Sequence, residues 1–153
     1  VFVATDHPVR RQPGNILGVN YRIVSLKPDK LFGVIKDWID ETPFSVTDRE
    51  KTIIDGLDLP QYVGGVSEIV KALIGSWQVL DEIKLREYAA KIGNSAVAKR
   101  LGFMMETLGL GDVEAFHASI PLAAGFSSLD PTMPKRGKYN RRWGLLVNTE
   151  LQS

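Results

Sequence analysis

The chain has 153 residues, 44% of them hydrophobic, and 19 Lys or Arg against 18 Asp or Glu give it a net charge of +1. That length and apolar content suit a single globular domain with a proper core, spanning 1–153. The absence of cysteine excludes disulfides, thiolate zinc sites and a Cys nucleophile, and fits a reducing, cytoplasmic setting. No apolar run approaches the ~20 residues of a membrane helix, and no signal-peptide core is visible.

Residues 1–5 are apolar and β-branched and predict a strand that begins on Val1 instead of Met, so we expect a piece of a longer protein. Pro8, Pro13 and Gly14 punctuate a loop over 6–18. Alternation over 19–26 predicts a half-buried strand, and 31–39 reads as a further strand, bulged at Gly33. Thr42-Pro43 breaks the chain, with 44–46 a brief extended entry to a helix. Thr47-Asp48-Arg49-Glu50 has the spacing of a capping box, with Thr47 as the cap and Glu50 reaching back to it. Ile53, Ile54 and Leu57 form that helix's apolar face, and Pro60 stops it.

Gly64-Gly65 marks a turn before a helical apolar pattern at Val66, Ile69, Val70, Leu73 and Ile74, closed by Gly75. Asp81, Asn94 and Asp112 are expected to cap three further helices, ended by Gly93, by Gly109 and Gly111, and by Pro121. Gly102 lies inside the second of these, where it costs roughly 1 kcal/mol against Ala unless a neighbour packs on the bare backbone. Residues 126–129 and 143–148 read as strands. Strands, then four or five helices, then strands predict an α+β fold whose N- and C-terminal strands share one small sheet.

Chemistry-bearing patterns are sparse. His7 and His117 are the only histidines and lack zinc-motif spacing. Pro28-Asp29 and Glu82-Ile83-Lys84 resemble the two halves of a metal-dependent nuclease signature, but the second half falls at a helix start. Glu50, Asp55 and Asp58 read as solvated acids on one helix face. No catalytic, cofactor or metal residue is assigned.

The exception is a turn with five cations in eight positions: Lys135, Arg136, Lys138, Arg141 and Arg142. Such a cluster can grip nucleic-acid phosphates while Tyr139 and Trp143 stack on a base or sugar. Equally, the two aromatics can pack in the core and leave the charges as a solvated loop; the pattern leaves both open.

Three stretches together resemble the C-terminal domain of AbiEi-family antitoxins, the transcriptional-regulator half of type IV toxin–antitoxin systems in phage defence. They are Val46-Thr47-Asp48-Arg49-Glu50-Lys51-Thr52-Ile53-Ile54-Asp55 followed by Leu59-Pro60-Gln61-Tyr62-Val63-Gly64-Gly65; Lys99-Arg100-Leu101-Gly102-Phe103-Met104; and Leu129-Asp130-Pro131 through Lys138-Tyr139-Asn140 to Trp143 and Asn148. The resemblance implies a parent protein with an N-terminal winged helix-turn-helix, not present in these residues, that binds operator DNA. It implies a non-catalytic domain that supports DNA binding and neutralises a cognate toxin, with no membrane partner. It gives Arg49, Glu50 and Asp55 scaffold roles, pairs Arg100 with a carboxylate such as Asp55, makes Gly102 a helix–helix packing glycine, and makes Asp130 and Asn140 turn formers. Two other readings stay open: a degenerate metal-dependent nuclease using Asp29 and Glu82, and a protein-interaction module using apolar surface around Trp77.

Overall fold

The computed structural model describes residues 1–151, which divide into two compact units, 1–47 and 48 onward. The class is α+β, with five α-helices and small sheets.

The first unit is all strand and turn. β1 (Phe2–Thr5) runs parallel to β3 (Val19–Ser25), with Phe2 opposite Arg22, and β2 (Gly14–Ile16) pairs antiparallel on the other side of β3. β2 lies within the segment read as loop. It is closed onto β3 by Leu17 and Gly18, both at positive φ, the backbone a two-residue hairpin turn needs. The Gln12 side chain exchanges two hydrogen bonds with the Ile23 backbone. β4 (Val34–Ile39) and β5 (Thr42–Thr47) form a separate hairpin about Asp40-Glu41. Pro43 therefore lies inside a ladder, opposite Trp38, where the sequence reading placed a break. A two-stranded ribbon has only edge strands, and an edge tolerates the missing N–H.

The second unit holds the core. α1 (Arg49–Asp58), α2 (Val66–Ser76), α3 (Glu82–Lys91), α4 (Ser95–Leu108) and α5 (Val113–Ser119) are followed by β6 (Ser127–Ser128), β7 (Lys138–Asn140) and β8 (Leu145–Val147). β8 is central, parallel to β6 and antiparallel to β7. The single sheet expected from N- and C-terminal strands is thus three separate sheets. Each set of strands pairs within its own stretch of chain, through the hairpins β2–β3, β4–β5 and β7–β8 with β1 and β6 added in parallel, and among the described residues no ladder joins the terminal sets.

Asp81, Asn94 and Asp112 cap α3, α4 and α5 as expected, and Gly109 ends α4 in the left-handed conformation. α2 runs through Gly75 to Ser76 instead of ending there. The capping box is corrected. Thr47 closes β5, so the cap moves to Asp48, whose carboxylate accepts from the Lys51 N–H at 2.8 Å. Freed from capping, the Glu50 carboxylate turns to α3 and accepts from the Asp81 N–H at 3.0 Å.

α4 is buried nearly all round, as a central helix must be. α4 packs on α1, α3 and α5, and its Val97, Leu101 and Met104 are fully buried, as are Ile54 and Leu57 of α1, Val70 and Leu73 of α2, and Trp143 and Leu145. Each such side chain contributes roughly 1.5–3 kcal/mol relative to exposure.

Candidate nucleic-acid interface

The basic segment is a braced hairpin, not a loose turn. Asp130 begins the brace. One carboxylate oxygen accepts from the Thr132 N–H at 2.8 Å, the other from the Val66 N–H at 3.2 Å, tying the segment to the start of α2. Asn148 completes it. Its Oδ1 accepts from the Asp130 N–H at 2.9 Å, and its Nδ2 donates to the carbonyls of Asp130 and Pro134 at 2.7 and 3.1 Å. At the far end Asn140 Oδ1 accepts from the Trp143 N–H at 3.0 Å and shapes the turn between β7 and β8. Asp130 and Asn140 are therefore turn formers, as the resemblance implies.

Trp143 anchors the hairpin in the core. It is fully buried, its Nε1–H donates to Glu106 at 2.7 Å, and the His117 ring meets its edge at 4.9 Å. Its six-membered ring lies on the bare backbone of Gly102, where a Cβ would stand 2.6 Å from Trp143 Cε3. Gly102 is a packing glycine, but what it admits is this indole and not a neighbouring helix. The two aromatics of the basic segment thus part company: Trp143 is core, whereas Tyr139 is 65% exposed and meets Phe126 edge-on at 4.7 Å.

The cations divide in the same way. Lys135, Arg136, Lys138 and Arg141 are exposed and, among the described residues, form no ion pair. Arg142 is also exposed, but it bridges Glu106 at 3.0 Å and Glu114 at 2.6 Å. Donating to the Glu114 carboxylate raises its pKa. Arg142 is therefore a neutralised strut to α4 and α5, and four of the five expected residues remain to face an anion.

Behind the hairpin lie two neighbouring cations of α4. Arg100 does not pair with Asp55, which is held by Lys51. It donates to the Leu57 carbonyl at 2.6 Å and twice to the Ser128 carbonyl at 3.1 Å, joining α1 to β6. Burial lowers its pKa, opposed by the nearby charges of Asp58 and Asp130. Lys99 is 1% exposed and donates to the Gly125 carbonyl at 2.7 Å, and burial alone pulls its pKa down. The sequence reading missed Lys99. Its only signal was a lysine next to Val97, Ala98 and Leu101 on a strongly apolar helix.

The acids read as solvated are mostly structural. Glu50 and Asp58 are buried, Asp58 accepting from Asn94 at 2.7 Å, and Asp55 is half-buried against Lys51. Arg49 is exposed. Lys84 bridges Asp48 at 3.0 Å and Glu50 at 3.2 Å, and the Tyr88 hydroxyl donates to Asp48 at 2.9 Å. Burial alone would raise both carboxyls. The Lys51 and Asp81 backbone N–H groups and the Lys84 ammonium outweigh it and hold both below their ordinary values.

Asp29 lies in a short 3-10 turn of the first unit, while Glu82 opens α3 in the second and accepts from the Asp112 N–H at 3.3 Å. Among the described residues no group of three or more His, Asp or Glu is arranged to hold a metal ion. No described helix is long and apolar enough to cross a membrane. Trp77 is half-buried, with Ile74, Val79 and Ile83 exposed nearby in sequence. Comparison with protein-family models, with curated proteins and with solved structures finds no match.

Proposed function

We propose that the chain is a non-catalytic regulatory domain of the AbiEi antitoxin type, which assists DNA binding by gripping the phosphate backbone with its basic hairpin. The observation that carries this reading is the set of four exposed, unpaired cations, Lys135, Arg136, Lys138 and Arg141, on a hairpin pinned by Asp130, Asn148 and Trp143. A pinned hairpin holds its charges in register without an ordering cost at each encounter, and phosphate contacts of this kind position a protein without reading bases. Sequence recognition belongs, on this reading, to a winged-helix partner domain. Toxin neutralisation draws on apolar surface such as Ile74, Val79 and Ile83.

The test is the salt dependence of binding to a duplex of arbitrary sequence. Each phosphate neutralised contributes about 0.9 to the slope of log K against log salt. Arg141→Ala should lower that slope by about one and weaken binding at every sequence. Arg142→Ala should change it little, because Glu106 and Glu114 already cancel that charge. A slope near zero in the wild type, or equal losses in both variants, overturns the reading.

A further inference from the structure

Three long cations are buried in the second unit: Lys51, Lys99 and Arg100. A buried cation is tolerated where opposite charge or a full set of acceptors replaces its water. Lys51 has Asp55. Arg100 has three bonds to backbone carbonyls and the fields of Asp58 and Asp130. Lys99 is the exception. Its ammonium carries three donors and bonds to the Gly125 carbonyl, and among the described residues it has no ion pair.

Lys99 borders an open cavity of about 230 Å³ beside the hairpin. No acidic residue lines that cavity, while Arg141 and Phe126 do. Gly144 keeps the approach open: a Cβ there would stand 3.2 Å from Lys99 Nζ, and its φ of +60° disfavours any side chain. The result is a recess lined by the nearly buried Lys99 and the unpaired Arg141, with the Phe126–Tyr139 edge contact beside it.

We propose that this recess binds a phosphate group, with Lys99 Nζ and Arg141 as its two cationic ligands and the Phe126–Tyr139 pair available to the attached sugar or base. A guanidinium offers two parallel N–H donors to phosphate oxygens, and an ammonium adds a compact point charge. Arg142 also borders the cavity but is committed to Glu106 and Glu114. The phosphate can come from a nucleic-acid backbone, which rests on the proposed function above, or from a free phosphate or nucleotide.

Two probes separate these sources: inorganic phosphate at constant ionic strength, and a duplex of arbitrary sequence. The readout is the backbone amide shifts of Gly125 and Gly144, together with duplex affinity across salt. We expect saturable shifts of both amides with phosphate in the wild type, abolished in Lys99→Met and weakened several-fold in Arg141→Ala. Lys99→Met should also weaken duplex binding about tenfold and lower the salt slope by about one. If Lys99→Met fails to fold, Arg141→Ala, altered at an exposed position, carries the test. Shifts with both probes assign the recess to backbone phosphate; shifts with phosphate alone support the recess and assign it to a free phosphate, leaving the nucleic-acid reading to fail separately. Duplex binding through Lys135, Arg136 and Lys138 with both amides unmoved by either probe overturns the recess and leaves the proposed function standing. Shifts that persist unchanged in both variants overturn it as well.

Discussion

At the scale of single residues, the hairpin depends on one missing methyl group. Gly102 is inside α4, where its backbone freedom is a local cost of about 1 kcal/mol against Ala. The cost is accepted because the Trp143 indole occupies the space a Cβ would take. The ring cannot retreat cheaply, being held by Glu106 at its Nε1–H and by Asn140 at its backbone N–H. Gly102→Ala should therefore destabilise the protein by about 2 kcal/mol or more, overpacking outweighing the gain in helix propensity. On a Trp143→Phe background, where the outer ring is gone, the same substitution should cost far less. Urea denaturation of the four proteins gives the coupling directly, and additive effects would deny the contact its role. The glycine itself was legible, since an interior helical glycine needs a neighbour. Which neighbour was not, because a tryptophan 41 positions later in the sequence meets it only through tertiary packing. Lys99 was illegible for a related reason: one lysine in a basic-apolar helix looks like a solvated residue until the loop over it is in place.

At the scale of elements, α1 and α3 are fastened by a charge cluster that local pattern reading misassigned. Thr47-x-x-Glu50 fits a capping box, but β5 claims Thr47 and moves the helix start by one residue. Glu50 is then released to cap α3 from a distance and to meet Lys84 together with Asp48. Local spacing identified the helix correctly; only the ladder partner Val34 decides where it begins. Both strand misreadings in the first unit have the same origin, since hairpin pairing turns Pro43 and the 14–16 segment into ladder positions that their own residues do not favour. The cluster has a pH consequence. Asp48 and Glu50 have folded-state pKa values below their ordinary 3.8 and 4.5. Their contribution is thus fully present above about pH 4.5 and is lost as pH falls through the lower folded values. Asp48→Asn keeps a competent cap and removes the charge. It should cost about 1–2 kcal/mol at pH 7 and flatten the fall in stability on acidification, followed by thermal melts between neutral pH and about pH 2. An acid limb identical to that of the wild type would show that the cluster does not set it.

At the scale of the whole chain, stability and candidate function both belong to the second unit. Among the described residues every buried hydrophobic side chain lies between Ile53 and Leu146, and the residues that frame the basic hairpin are all in the second unit as well. The first unit buries none of its residues, and Leu17, Trp38 and Ile39 are 99%, 61% and 65% exposed. Three-stranded and two-stranded sheets without a covered apolar face are marginal in water, and 47 residues are few for an independent core. The α+β class was legible from the order of periodic segments. The division at Thr47 was not, because Phe44, Val46 and Ile53 look like one continuous apolar register across it. The expected consequence is an asymmetric dissection. A chain beginning at Asp48 should keep a cooperative thermal transition with full helix content, within about 1 kcal/mol of the parent and so within about 4 °C in Tm. It should also keep the salt slope of duplex binding, because all four unpaired cations remain. Residues 1–47 alone should show no cooperative transition by circular dichroism. A fragment from Asp48 that melts without cooperativity would mean that the core between α1 and Trp143 is not self-sufficient, and that the hairpin it holds cannot be treated as a preformed surface.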